Sequence, residues 1–304
     1  MEASPLITAI ICTHNPRTDY FARTLQGLKR QILPRDSWDL VVVDNASTPP
    51  VSEAIFEGAS QHSRVIHEEK PGKVNAMIAA APHVRGEWVV FVDDDNVLAP
   101  DYLVALARLS AEFPRIGVFS ASIEGEFETP VPDWAESFLS YLAIRPLDRA
   151  YWGNIAGPHI GPIGAGMCVR RPVYDAFVDS YRSGKVEASL GRTAGSLAAG
   201  TDDTVFMDLA FPQGYGCGAF PELRMTHLIS SDRLEFDYMK RLVRDISRSH
   251  ALLEQQREPV RQSRRLLGMV RQTISSLLRA RGNVRRILLA RSQGKWAAYR
   301  SAER

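Results

Sequence analysis

Residues 88–96 read Trp-Val-Val-Phe-Val-Asp-Asp-Asp-Asn, an unbroken apolar run that passes directly into three adjacent carboxylates. Five β-branched and aromatic residues after the break at Gly86 predict a strand buried on both faces. Outward from it the same pattern recurs. Leu6–Cys12 is an apolar run ending in Thr13-His14-Asn15-Pro16, and Leu40–Val43 is another ending in Asp44-Asn45-Ala46-Ser47. Between these runs lie segments of helical spacing: Tyr20–Gln31, Val51–Ala59, the Ala-rich Lys73–Ala81, and Pro100–Phe113, whose proline suits a first helical turn. Val65–His67 adds a short strand. This alternation predicts an α/β fold, a mostly parallel sheet with helices on both faces. In such sheets ligands bind outside the carboxyl ends of the strands. The clusters Thr13–Asn15, Asp44–Ser47 and Asp93–Asp95 all fall there.

Three neighbouring carboxylates repel one another, so a fold that gathers them at a strand end calls for a compensating cation. Hard divalent ions such as Mg²⁺ or Mn²⁺ take oxygen ligands and bridge to phosphate. On an extended backbone Asp93 and Asp95 share a face. The plainer alternative is a solvated acidic turn in which Asp95 or Asn96 caps the next helix. A second acidic pair, Asp202-Asp203, opens the helical segment Thr204–Phe211. Capping and the helix dipole favour acids at that place, and the functional reading is a carboxylate general base. His227 follows a short apolar–polar strand, and Lys73 follows Pro71-Gly72 at a helix start, where backbone N–H groups also meet anions.

Taken together and in order, these pieces resemble glycosyltransferase family 2. The matching stretches are ITAIICTHNP, VVVDNASTPP, KPGKVNAMIAAAPHVRGEWVVFVDDDNVLAPDYL, GAGMCVRRPVY and GTDDTVFMDLAFPQGYGCGAFPELRMTHLI, spanning residues 6–229. The resemblance implies a GT-A fold and an inverting enzyme of polysaccharide biosynthesis. Such an enzyme moves a sugar from a nucleotide-sugar donor to a hydroxyl of a glycan or lipid-linked acceptor, with Mg²⁺ or Mn²⁺. Carried over by resemblance, Thr13, His14, Asn15, Asp44 and Asn45 hold base and ribose, Lys73 lies near the diphosphate, and Asp93 and Asp94 near the nucleotide sugar. Asp95 and His227 hold the metal, and Asp203 is the catalytic base. The chain departs from the family at Asp202, where Glu is common, and at Asn45, where an Asp-Asp pair is common. The aromatic stretch from Pro130 to Gly166 reads either as an acceptor wall or as core of the smaller lobe. A nucleotidyltransferase, or a silent sugar-nucleotide-binding scaffold, is the competing reading. The intact set Asp93, Asp95 and Asp203 favours the transferase.

The 304 residues carry a formal charge of +2, which conceals a strong asymmetry. Residues 1–239 sum to −11 and residues 240–304 to +13. The expected organisation is a GT-A catalytic domain over 1–235, nucleotide-binding to about residue 115 and acceptor-binding from 116, followed by an Arg-rich helical region over 236–304. Within that region Leu267, Val270, Ile274, Leu277 and Leu278 fall near helical spacing, and Val284, Ile287 and Leu288 repeat the pattern beside Arg285 and Arg286. Basic amphipathic helices read as binders of an anionic membrane surface, against packing on the catalytic domain or on a second subunit as in a homodimer. Nucleic acid is disfavoured by the lack of aromatics between residue 240 and Trp296. Three scattered cysteines without a CxxC pair suit a reducing compartment. With no basic leader and no run long enough to span a bilayer, the expected location is cytoplasmic or peripheral at the inner face of the plasma membrane.

Overall fold

The computed structural model describes residues 6–52, 60, 62–155, 160–184, 202–257, 278 and 280–301. Two compact units emerge: one from described residues within Met1–Glu126, Ala143–Ser189 and Asp202–Leu228, the other from those within Phe127–Leu142, Leu190–Thr201 and Ile229–Arg304.

The first unit is built on a sheet whose parallel part follows the sequence expectation. Strands β1 (Ile7–Thr13), β2 (Trp38–Asp44), β3 (His62–His67) and β4 (Trp88–Val92) lie in the order β3-β2-β1-β4, all parallel, with Ile7 opposite both Trp38 and Trp88. Strands β5 (Asn96–Leu98), β6 (Ile116–Phe127), β7 (Tyr151–Gly153), β8 (Cys168–Arg170) and β9 (Gly216–Ile229) extend it on one side in the order β8-β6-β9-β5, with β7 also paired to β9. Among the described pairs in this extension, β4–β8, β8–β6, β9–β5 and β7–β9 run antiparallel.

The helices of this unit are α1 (Thr18–Lys29), α2 (Lys73–Ala80), α3 (Tyr102–Glu112), α4 (Arg171–Arg182) and α5 (Asp202–Ala210). Side chains alternate across each strand, so the continuous apolar runs feed two separate cores. Ile7, Ala9, Ile11, Leu40, Val42, Trp88 and Val90 meet Phe21, Leu25 and Leu28 of α1 and Leu103 and Leu106 of α3. Ile10, Val41, Val43, Val89 and Phe91 meet Val74 and Met77 of α2, Tyr174 and Phe177 of α4 and Phe206 of α5. Helices therefore cover both faces. The stretch expected to be helical over Val51–Ala59 lies mostly outside the described residues.

The second unit carries two long helices, α6 (Phe236–Arg257) and α7 (Gly282–Ser301), packed on each other. At their crossing Gly294 of α7 lies against the Arg244 carbonyl of α6, so close that a Cβ at that position would overlap it. The run Leu267–Leu277 lies outside the described residues, and Leu278 is 82% exposed. Among the described residues no helix is long and apolar enough to cross a membrane.

Candidate active site

The three aspartates after β4 do not continue the strand. They form a tight turn closed by the Asn96 N–H on the Asp93 carbonyl, 3.0 Å, after which β5 begins. A turn sends successive side chains in different directions, so the face-sharing expected of an extended Asp93 and Asp95 is replaced by a division of partners. Asp93 Oδ1 takes an ion pair from Lys73 Nζ at 2.7 Å. Asp94 accepts a hydrogen bond from the Thr13 hydroxyl at the end of β1. Asp95, buried, lies with its Oδ2 3.3 Å from His227 Nε2, and its Oδ1 accepts from the Asn96 amide at 2.9 Å. Repulsion within the triplet is relieved by separate partners for each carboxylate.

The pairing of Asp95 with His227 is set by strand register. Asn96 lies opposite His227 in the antiparallel β5–β9 pair, and the Leu228 N–H donates to the Asp95 carbonyl at 2.9 Å. Residues far apart in sequence are thereby brought to one point with both side chains buried. A carboxylate oxygen and an imidazole nitrogen are both chemically able to act as ligands of a divalent cation. No group of three or more His, Cys, Asp or Glu side chains fit for a metal occurs among the described residues.

The second polar cluster is a scaffold for the first. Asp44, buried at the end of β2, accepts from the Ser47 and Val51 N–H groups at 3.2 and 2.9 Å and from His67 Nδ1 at 3.2 Å. Burial pushes its carboxyl up, but the hydrogen bonds led by Ser47 outweigh this and hold it below the ordinary 3.8. Asn45 spends its whole amide on backbone: its nitrogen donates to the carbonyls of Glu68 and Lys70, and its oxygen accepts from the Gly72 N–H. That clamp fixes the segment that delivers Lys73 to the start of α2. His14 Nδ1 donates to the Asn45 carbonyl at 2.7 Å, and Asn15 joins the 47–48 turn through the Ser47 hydroxyl and the Thr48 N–H. His14 and Asn15 remain exposed at the edge of this cluster.

Asp203 lies in the first turn of α5, its Oδ1 accepting the Thr204 N–H at 2.7 Å. Gly164 lies near both it and the Lys73 ammonium that pairs with Asp93, since a Cβ there would stand 4.0 Å from Asp203 Cβ and 3.8 Å from Lys73 Nζ. The structure also brings in a residue that sequence reasoning missed. Arg145 bridges Ile123 of β6 through backbone hydrogen bonds and donates from Nη1 to the Gly161 carbonyl at 2.8 Å. Its Nε and Nη2 are buried without a hydrogen-bond partner. Burial pulls the guanidinium below its ordinary value, and Asp203 pulls it back up. An arginine in a Pro-rich loop gives no sequence signal; burial and the neighbouring carboxylate single it out.

The loops that carry Arg145 and Gly164 hang from β6. Ser122 Oγ accepts the Leu147 N–H and Ser120 Oγ the Ile163 N–H, both at 2.9 Å. The aromatic stretch divides between the units. Trp134 packs edge-on against Phe236 in the second, with centroids 5.6 Å apart, whereas Trp152 is 59% exposed in the first, beside Phe113. Cys12, Cys168 and Cys217 form no disulfide, and burial pushes the Cys168 and Cys217 thiols up to about 12.

The pattern that defines Glycosyl transferase family 2 matches residues 8–176, more than half of the chain. The chain belongs to glycosyl transferase family 2. It is 24% identical over 158 residues to EpsH of Bacillus subtilis (strain 168), named as a glycosyltransferase, covering 51% of this chain and 45% of that protein. It is 34% identical over 131 residues to y4gI of Sinorhizobium fredii (strain NBRC 101917 / NGR234), covering 40% of this chain and 14% of that one. The chain thus spans less than half of either relative. The crystal structure of S. aureus TarS 1-349 shares its fold at a TM-score of 0.53 and 17% identity, over 79% of this chain and 65% of TarS 1-349. Its complex with UDP gives 0.53 and 16% identity over 98% and 90%. The family match and the TarS likeness accord with the GT-A expectation for the fold.

Proposed function

We propose that this member of family 2 is an inverting glycosyltransferase that moves a sugar from a nucleotide-sugar donor to a hydroxyl of a glycan or lipid-linked acceptor. The observation that carries this reading is the neighbourhood of Asp203 and Lys73 across Gly164, with Lys73 paired to Asp93 and Asp95 of the same turn paired to His227. The donor meets the ends of β1 and β2, where Thr13, His14, Asn15, Asp44 and Asn45 shape the nucleotide seat. Of these, Asn45 acts through the backbone it holds. Lys73 and the N-terminus of α2 face the diphosphate. Asp93 sets the position of Lys73, and Asp94 that of Thr13.

Asp203 takes the acceptor's hydroxyl proton as that oxygen attacks the anomeric carbon, and the bond to the diphosphate breaks on the opposite face. A single displacement of this kind inverts the centre. Asp95 and His227 would hold a divalent cation. When bound, such a cation stabilises the charge that builds on the leaving group. Arg145 keeps positive charge beside Asp203. A nucleotidyltransferase has no evident use for the late Asp203 and His227, and a silent binder none for the full carboxylate set.

The TarS complexes with UDP and with UDP-GlcNAc make a UDP-sugar the first donor to try. The test is a thermal-shift panel of UDP-, GDP- and dTDP-sugars with Mn²⁺ or Mg²⁺. Stabilisation by one donor class, enhanced by the cation, supports the reading. Indifference to all of them removes it.

A further inference from the structure

Helix α7 presents two unlike faces. Ile287, Ala290 and Ala298 are fully buried, and Gly294 sits against α6. The apolar run expected to meet a membrane, Val284, Ile287 and Leu288, therefore has its central residue turned inward. The opposite face carries Arg285, Leu289, Gln293, Trp296 and Arg300, all exposed, at steps of four, four, three and four residues. Such spacing makes one continuous stripe along a helix. Leu289 is 40% and Trp296 38% exposed, the two large apolar side chains of the stripe. Arg286, exposed beside it, lies over the Phe236 ring at 4.3 Å. The helix has five basic side chains and no acidic one.

We propose that this stripe docks α7 on the surface of an anionic lipid bilayer. An indole ring sits at the headgroup level, apolar body inward and N–H toward water, and Leu289 beside it enters the acyl boundary. Arginines at both ends of the stripe present planar forks to lipid phosphates while their stems cover apolar surface. The formal +13 of residues 240–304 supplies long-range attraction to the same surface. A second copy of the chain is a poorer occupant. A twofold contact is self-complementary, so it would set this acid-free arginine stripe against itself. Single-stranded nucleic acid is poorer too, because base stacking draws on several aromatic platforms and the stripe holds only Trp296. The proposal is independent of the donor and acceptor chemistry.

The test is co-sedimentation of the full chain with phosphatidylcholine vesicles, with and without phosphatidylglycerol. Binding is expected only when phosphatidylglycerol is present, and to fall with added salt. Each basic group near such a surface is worth about fivefold, so Arg285→Gln/Arg286→Gln/Arg300→Gln is expected to weaken binding about 100-fold. Leu289→Ala/Trp296→Ala, which keeps the charge, is expected to cost about tenfold. Both variants keep the wild-type circular dichroism and nucleotide thermal shift. Equal pelleting with both vesicle types, or variants that bind like wild type, overturns the proposal. A mass showing a dimer that these variants break, or a single-stranded RNA bound as tightly as the vesicles, also overturns it by giving the stripe another occupant.

Discussion

The carboxyl edge of the parallel strands and the outer face of α7 treat charge in opposite ways. At the strand edge each carboxylate of the 93–95 triplet has its own partner, Lys73, Thr13 or His227, and Asp44 is closed in by backbone N–H groups. On α7 Arg285, Arg286 and Arg300 are exposed, and the helix carries no acid to meet them. Internally balanced charge is preorganised charge: its cost is met on folding, and it stands ready for a substrate whose own charge shifts during reaction. Unbalanced surface charge is suited to attraction at a distance, and it weakens with salt. That difference is the one expected between the proposed chemical site and the proposed docking surface.

The largest effect that should separate the two regions comes from Asp203→Asn. If the strand edge is the chemical site, turnover falls by about 10³-fold or more while nucleotide affinity stays within about threefold, read by nucleoside diphosphate release and calorimetry. Asp95→Asn or His227→Ala should lower turnover by about 10²-fold and, unlike Asp203→Asn, should also weaken the cation-dependent part of nucleotide binding. Loss at Asp203 alone would break the claim that Asp95 and His227 serve the same event.

Further down the scale, Asn45→Ala removes three hydrogen bonds to the 68–72 segment and is expected to cost about 2 kcal/mol of stability by urea denaturation, with weaker nucleotide binding through Lys73. Gly294→Val tests the other region. It should loosen the α6–α7 crossing by about 1–3 kcal/mol and leave nucleotide binding intact. The smallest effect is one of pH. Asp44 is held below its ordinary 3.8, so it stabilises the fold above that value, and the contribution is lost as pH falls through the lowered value. Thermal denaturation from pH 6 downward should show a shallower acid loss in Asp44→Asn than in wild type. Parallel curves would remove the clamp from the account.

How legible all this was in the sequence depends on how local the signal is. The strand 88–92 and its aspartates could be read because burial on both faces forces a continuous apolar run. Long β6 could not, since its Ser120 and Ser122 look like turn residues until their hydroxyls are seen receiving the Ile163 and Leu147 N–H groups. His227 was named by resemblance, but its meeting with Asp95 depends on β5–β9 register, which no local pattern encodes. Arg145 lacked any local mark. In α7 the apolar residues were visible and their direction was not. Helical spacing defines a stripe without saying which stripe meets α6, and Gly294 decides that by letting the backbones touch.

The most direct test of the central claim, single displacement at the strand edge, is the configuration of the sugar first released. An α-linked nucleotide sugar hydrolysed by the full chain, with water attacking in the acceptor's place, and followed by proton nuclear magnetic resonance before mutarotation should yield the β anomer. The α anomer appearing first would contradict the account.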